Sequence, residues 1–188
     1  MKKLVALILA LMLCFAACAF AVESPDSSSM NKVVAVSVEN GDVLPTVVIN
    51  PVESMTKPEL DAYNALKDAA IEAGSFSKLF NEKGLVDDNG KDVELPEDAQ
   101  AIVLVGVEIF NYEEEMGILT VDVETAAELT VGDPIVAVIS LGDNHIALEG
   151  EAVELDGKVV AQFSIPSDLA VAIQDSDEAL ITFFTIAK

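Results

Sequence analysis

From Ala101 to Ala187 the chain is a train of short apolar or alternating runs, each stopped by a turn signal, and this pattern suits a sheet. Ala101–Val107 is continuously apolar and Ile135–Leu141 nearly so, as strands buried on both faces are. Leu119, Val121 and Val123 alternate with Thr120, Asp122 and Glu124, which sends one set inward and the other outward. Gly142-Asp143-Asn144 is a turn leading into His145–Leu148 and Ala152–Leu155. Asp156-Gly157 is a two-residue hairpin loop, since both residues tolerate positive φ, and it opens onto Val159, Ala161, Phe163 and Ile165. Pro166-Ser167-Asp168 starts a helical turn over Leu169–Ile173, and Ala179–Ala187 closes the chain as an apolar strand. About seven strands in about 90 residues predict a mostly antiparallel β-sandwich over 96–188. The sandwich would be immunoglobulin-like without a disulfide, because the Cys…Trp…Cys core of antibody domains is absent.

The preceding part, 32–95, reads as a hairpin plus helix, making the whole an α+β chain. Val34, Val36 and Val38 share one strand face. Asn40-Gly41 follows, and Val43, Pro45, Val47 and Ile49 alternate again. Thr56-Lys57-Pro58-Glu59 carries the marks of a helix start: a Thr cap, Pro in the first turn and Glu three residues on. Leu60, Tyr63, Leu66, Ala70 and Ala73 then form one face, expected to pack on the hairpin, and Gly74 ends the helix. Ser75–Asn81 predicts a second short helix stopped by Gly84. Asp87, Asn89, Asp92 and Glu94 around Asn89-Gly90 are spaced as a solvated turn; Lys91 stands where an EF-hand needs a ligand.

The first segment is read as an address. Lys2-Lys3 precedes the apolar run Leu4–Phe15, and Ala19-Phe20-Ala21 fits an A-x-A cleavage rule, so 1–21 is expected to be a signal peptide. Phe15-Ala16-Ala17-Cys18 also resembles a lipobox, which makes Cys18 a lipidation candidate. The expected location is secreted, with a cell-surface lipoprotein as the alternative and no membrane span. Residues 22–31, rich in Ser around Pro25, read as a flexible linker. No cysteine follows Cys18, so the exported chain would hold neither a disulfide nor a thiol nucleophile.

Charge narrows the partners. The chain carries 33 acidic side chains against 10 basic ones, all Lys, for a formal charge of −23. Without Arg or a basic stripe it lacks the phosphate-neutralising surface that nucleic-acid binding requires. His145, the single histidine, opens a strand after a turn and is expected at the surface; Ser140 lacks the glycine of a nucleophile elbow. The remaining candidates are carboxylates. Glu113, Glu114 and Glu115 follow Tyr112 in an expected turn, and Asp122 and Glu124 lie on the outer face of the next strand. Together these six residues are weak candidates for ligand binding, with Ca²⁺ the one cofactor they could attract. Glu149, Glu151 and Glu154 form a second acidic group, and Asp175, Asp177 and Glu178 a third.

The stretches Gly106–Gly117, Gly132–Ile139 and Asp156–Val160 followed by a short helix resemble small exported proteins of Gram-positive gut bacteria. In that group a helical N-terminal part precedes an immunoglobulin-like β-sandwich. The resemblance implies export and a sandwich, and carries no residue roles. The function expected is a non-catalytic exported module that binds or scaffolds a protein or cell-surface ligand. The alternative is a carboxylate- or Ca²⁺-dependent hydrolase acting on extracellular polysaccharide.

Overall fold

The structure, a computed structural model, describes residues 32–125 and 127–186. The expected signal peptide, Cys18 and the 22–31 linker lie outside the described residues. In chain order the elements are β1 (Lys32–Val38), β2 (Thr46–Asn50), α1 (Lys57–Ala73), α2 (Phe76–Lys83) and a short β3 (Val86–Asp87). Then come β4 (Gln100–Phe110), β5 (Leu119–Glu124), β6 (Pro134–Leu141), β7 (Asn144–Leu155), β8 (Lys158–Ile165), α3 (Ser167–Gln174) and β9 (Leu180–Thr185).

The strands join one continuous sheet in the order β1-β5-β8-β7-β6-β9-β4-β2, with every neighbouring pair antiparallel; β3 alone runs parallel, beside β7. The two ends of this path, β1 and β2, come close to each other, so the sheet curls into a nearly closed barrel. The expectation of a β-rich α+β chain holds. The ladder, however, draws a single curled sheet where the strand spacing suggested two facing ones, because spacing sets strand number and leaves pairing order open.

The hairpin expected over residues 33–49 does not form. β1 pairs with β5 and β2 with β4, at opposite ends of the sheet. Gly41 does take a positive φ of 98°, as a turn needs. Yet the Glu39 and Asn40 amides donate to the carbonyls of Ile118 and Met116, which extends the β1–β5 ladder through the point where a hairpin would fold back. Residues 32–95 therefore share the sheet formed by 96–188. A register shift between Val33 and Ala35 also breaks the expected face: Val33, Val36 and Val38 pack inward and Val34 is left exposed.

Two of the later turns match expectation. Leu141 pairs with Asn144 around Gly142-Asp143, and Leu155 with Lys158 around Asp156-Gly157, whose φ angles of 51° and 79° are those of a type I′ turn.

The barrel interior is filled by side chains. Val105, Val107, Ile109, Val121, Ile135, Ile139, Phe163 and Phe183 meet there, with the Phe163 and Phe183 rings edge to face at 5.4 Å. α3 adds Leu169, Ala170 and Ile173 to the same core.

A second core lies outside the barrel. α1 and α2 cover the outer faces of β4, β6 and β9, and Tyr63, Leu66, Ala70, Phe76, Leu79 and Phe80 pack on Leu104, Val138, Leu180 and Phe184. This corrects the expected packing of α1 on a hairpin, and explains why the runs at 101–107 and 135–141 are apolar at nearly every position: those strands are buried on both faces.

The helix ends follow the residues. Thr56 accepts from the Glu59 amide while the Glu59 carboxylate accepts from the Thr56 amide at 2.7 Å, a complete capping box. Gly74 closes α1 in the left-handed region, and Ser75 caps α2.

Candidate functional site

The six residues expected to bind do not converge. Tyr112 is buried. Its hydroxyl donates to the Gly117 carbonyl, while its backbone exchanges two hydrogen bonds with the Gln174 amide at 2.8 and 3.2 Å. It therefore locks the 111–117 loop onto α3, and burial pushes its phenol above the usual range, with smaller contributions from Glu114 and Asp168. Glu113, Glu114 and Glu115 stand exposed on the following 3₁₀ turn. Asp122 and Glu124 do point to the outer face of β5, but about 10 and 17 Å along the strand from Leu119 at roughly 3.3 Å per residue. There they are taken: Asp122 accepts from Gln162 at 2.8 Å, and Glu124 forms an ion pair with Lys158 at 2.8 Å. Among the described residues, no three His, Cys, Asp or Glu side chains gather closely enough to hold a metal ion. Nor is any described helix long and apolar enough to cross a membrane.

The Tyr112 arrangement has a measurable consequence. Tyr112→Phe removes a buried hydroxyl–carbonyl bond and leaves the Gly117 carbonyl short of a donor, which costs about 1–2 kcal/mol. The thermal midpoint is expected to fall by about 2–8 °C, with ligand-binding behaviour unchanged. A midpoint equal to wild type contradicts the locking role.

The other acidic turn is likewise self-satisfied. Asp87 accepts from the amides of Asn89 and Lys91, both at 2.9 Å, so its carboxylate closes the turn, as the solvated-turn reading expects.

The polar groups that do converge lie where α1, the end of α2 and the β6–β7 turn meet. There a cleft of about 220 Å³ is lined on one side by Ala62, Ala65, Leu66 and Ala69 of α1, with Leu180 of β9. Ser140, His145, Lys83, Asp143, Gly142 and Glu178 line the remainder. Only part of its construction is local. The two-residue loop Gly142-Asp143 sets Ser140 opposite His145 on the outer face of the β6–β7 pair. α2 brings Lys83 over this face, and the short path from α3 to β9 brings Glu178.

His145 overturns the expectation of a surface histidine, being only 2% exposed. Phe80 covers it, with ring centroids 5.0 Å apart in an edge-to-face pair. Its Nδ1 lies 3.0 Å from Ser140 Oγ, and its Nε2 is buried without a hydrogen-bond partner among the described residues. Burial, helped by Lys83 and opposed by Asp143, pushes its pKa down to about 4, so the ring is neutral at pH 7. A neutral imidazole bonded through one nitrogen keeps one unmet valence at the other, and a buried polar atom left so costs about 1–3 kcal/mol.

The rim is looser. Lys83 Nζ lies 3.5 Å from Asp143 Oδ1, and the Asp143 side chain is fully exposed. Glu178 is exposed beside Gly142, and its carboxylate has no partner among the described residues. The residues missed by sequence reasoning are thus Lys83, Ser140, Asp143 and the alanine face of α1, together with the burial of His145. The signal was present in the hairpin register, since a two-residue loop at 142–143 places 140 across from 145.

No protein-family model, no curated protein and no solved structure matches this chain.

Proposed function

We propose that the protein is an exported binding module that takes a small polar ligand in the cleft between α1 and the β6–β7 turn. The observation that carries this reading is His145, which lines a cavity whose rim bears charges of both signs and whose buried Nε2 has no hydrogen-bond partner among the described residues. Such an atom is a preset valence for an incoming donor or acceptor. A packed barrel interior supports the same reading, because it makes the sheet a rigid carrier and puts recognition on its outer surface. Binding is favoured over hydrolysis by the chemistry at Ser140: its hydroxyl meets Nδ1, and no described carboxylate meets Nε2 to orient the ring and stabilise an imidazolium.

Export rests on the charged start and apolar run of residues 1–15 with the Ala19-Phe20-Ala21 site, and on the resemblance to exported proteins of Gram-positive gut bacteria. Lipidation at Cys18 would hold the module at the cell surface; cleavage after Ala21 would release it.

The test is thermal unfolding of the purified protein against panels of metals, amino acids, organic acids and glycans, followed by assays for hydrolysis of peptides and polysaccharides. A ligand that binds only the folded state raises the midpoint, with about 2.7 kcal/mol of stabilisation at one hundred times Kd. The expected result is a rise with a small polar ligand that is lost in Glu178→Gln. Turnover of a glycan overturns the reading in favour of the hydrolase, and a Ca²⁺ shift abolished by Glu113→Ala with Glu115→Ala overturns it by moving the binding site to the 113–115 turn.

A further inference from the structure

Resting on that cleft, we infer that its ligand is a zwitterionic aliphatic amino acid, with the ammonium at Glu178 and Asp143, the carboxylate at Lys83, and the side chain on the alanine face of α1. Each part of the ligand answers a part of the site. The space itself exists because positions 62, 65 and 69, which follow one another along one side of α1, are alanines. Any longer side chain there would fill it. With Leu66 and Leu180 they make an apolar wall suited to a branched aliphatic group. A volume of about 220 Å³ lies below the roughly 300–1,000 Å³ of drug-sized sites, which points to a molecule of amino-acid size.

The charges carry the rest. Only eight lysines lie beyond Lys2 and Lys3 in this strongly acidic chain, and one of them stands at this rim. Lys83 is held by Asp143 at only 3.5 Å, at the long end for an ion pair, so it is free to turn to a ligand carboxylate. Asp143 would then lose its cation and, with Glu178, present two carboxylates to an ammonium. His145 supplies the sorting element. In the tautomer that gives the Nδ1 hydrogen to Ser140, the buried Nε2 of this lining residue would be an acceptor for one of the three donors of an ammonium. A bare cation of aliphatic shape would leave Lys83 unanswered, and a bare carboxylate would face two uncompensated acids.

Because His145 is the single histidine, its ring resonances in an NMR spectrum report this cleft alone. L-leucine, L-leucinamide and 4-methylpentanoate are the probes; the amide stands in for a peptide N-terminus and the acid lacks the amine. L-leucine is expected to move the His145 signals saturably. The other two are expected to bind at least tenfold more weakly. Glu178→Gln should weaken L-leucine at least tenfold, Lys83→Met should erase its advantage over leucinamide, and Ala65→Leu, at an exposed helix position, should block all binding with an unchanged circular dichroism spectrum.

No movement of His145 with any probe at 10 mM overturns the inference. Leucinamide binding as tightly as leucine does so too, assigning the site to peptide ends. A ligand of a different class that moves His145 saturably, where L-leucine does not, also overturns it, while the binding-module reading stands. Hydrolysis of any probe removes both.

Discussion

Gly150→Ala is expected to lower the stability of the protein by about 3 kcal/mol or more, the upper end of overpacking costs. Gly150 lies on β7 opposite Ile135 of β6 and Phe163 of β8, and its φ is not in the left-handed region, so conformational freedom is not what requires a glycine. Close approach is. A Cβ there would sit 2.3 Å from the Gln162 carbonyl oxygen and 3.1 Å from Phe163 Cβ. The carbonyl is backbone in β8, held between β5 on one side and β7 on the other, and cannot rotate away without breaking ladder pairs.

Gly106→Ala is the informative comparison. Its Cβ would lie 2.2 Å from Glu59 Oε1, but that atom ends a side chain. Glu59 can leave at the cost of its capping bond and its bond from Asn50, about 1–2 kcal/mol. Thermal unfolding should therefore rank Gly150→Ala as the more damaging of the two, with a loss of about 6–12 °C in midpoint. A midpoint within 2 °C of wild type would mean that β7 and β8 lie farther apart at this point.

That glycine shows where sequence reasoning stops. Strands and their inward faces were legible because burial follows a period of two. Leu119, Val121 and Val123 point into the barrel, and Asp122 and Glu124 away from it. Turns with backbone demands were legible too, at Asp156-Gly157 and Gly142-Asp143, as was the capping box at Thr56. Which strand pairs with which was not. Asn40-Gly41 has the composition of a hairpin turn, yet the neighbours of β1 and β2 were decided by contacts more than 50 residues away in sequence. The cleft was hidden for the same reason. Lys83 and Asp143 are 60 residues apart, and no local pattern brings them together. The acidic run at 113–115 looked like a site because charge density is visible in sequence, whereas partnering is not: Asp122 and Glu124 beyond it are occupied by Gln162 and Lys158.

The second large effect is a loss of stability on mild acidification that belongs to His145 alone. Its pKa in the folded protein is about 4, below the ordinary 6.5. Between those values the unfolded chain takes a proton on this ring and the folded chain does not. Protonation thus favours unfolding, and stability falls as pH drops from about 6.5 towards 4. A difference of about 2.5 units corresponds to about 3 kcal/mol over that interval, at about 1.4 kcal/mol per unit.

The groups facing the ring set both size and sign. Phe80 and the surrounding core withhold water, Lys83 repels a second positive charge, and Asp143 compensates only in part. The rest of the molecule pulls the other way. Acidification neutralises carboxylates on a chain of net charge −23, which relieves their mutual repulsion and stabilises the folded state. Total stability against pH therefore mixes two opposed slopes, and the informative quantity is the difference between wild type and His145→Gln. Urea denaturation at pH 7, 5.5 and 4.5 should show the wild-type protein losing ground to the variant by about 2–3 kcal/mol across that span. A direct NMR titration of the His145 ring should give a midpoint near 4. A ring titrating at its ordinary 6.5, with a pH-independent difference between the two proteins, would place His145 in solvent and remove the buried, unmet nitrogen on which the cleft's recognition chemistry depends.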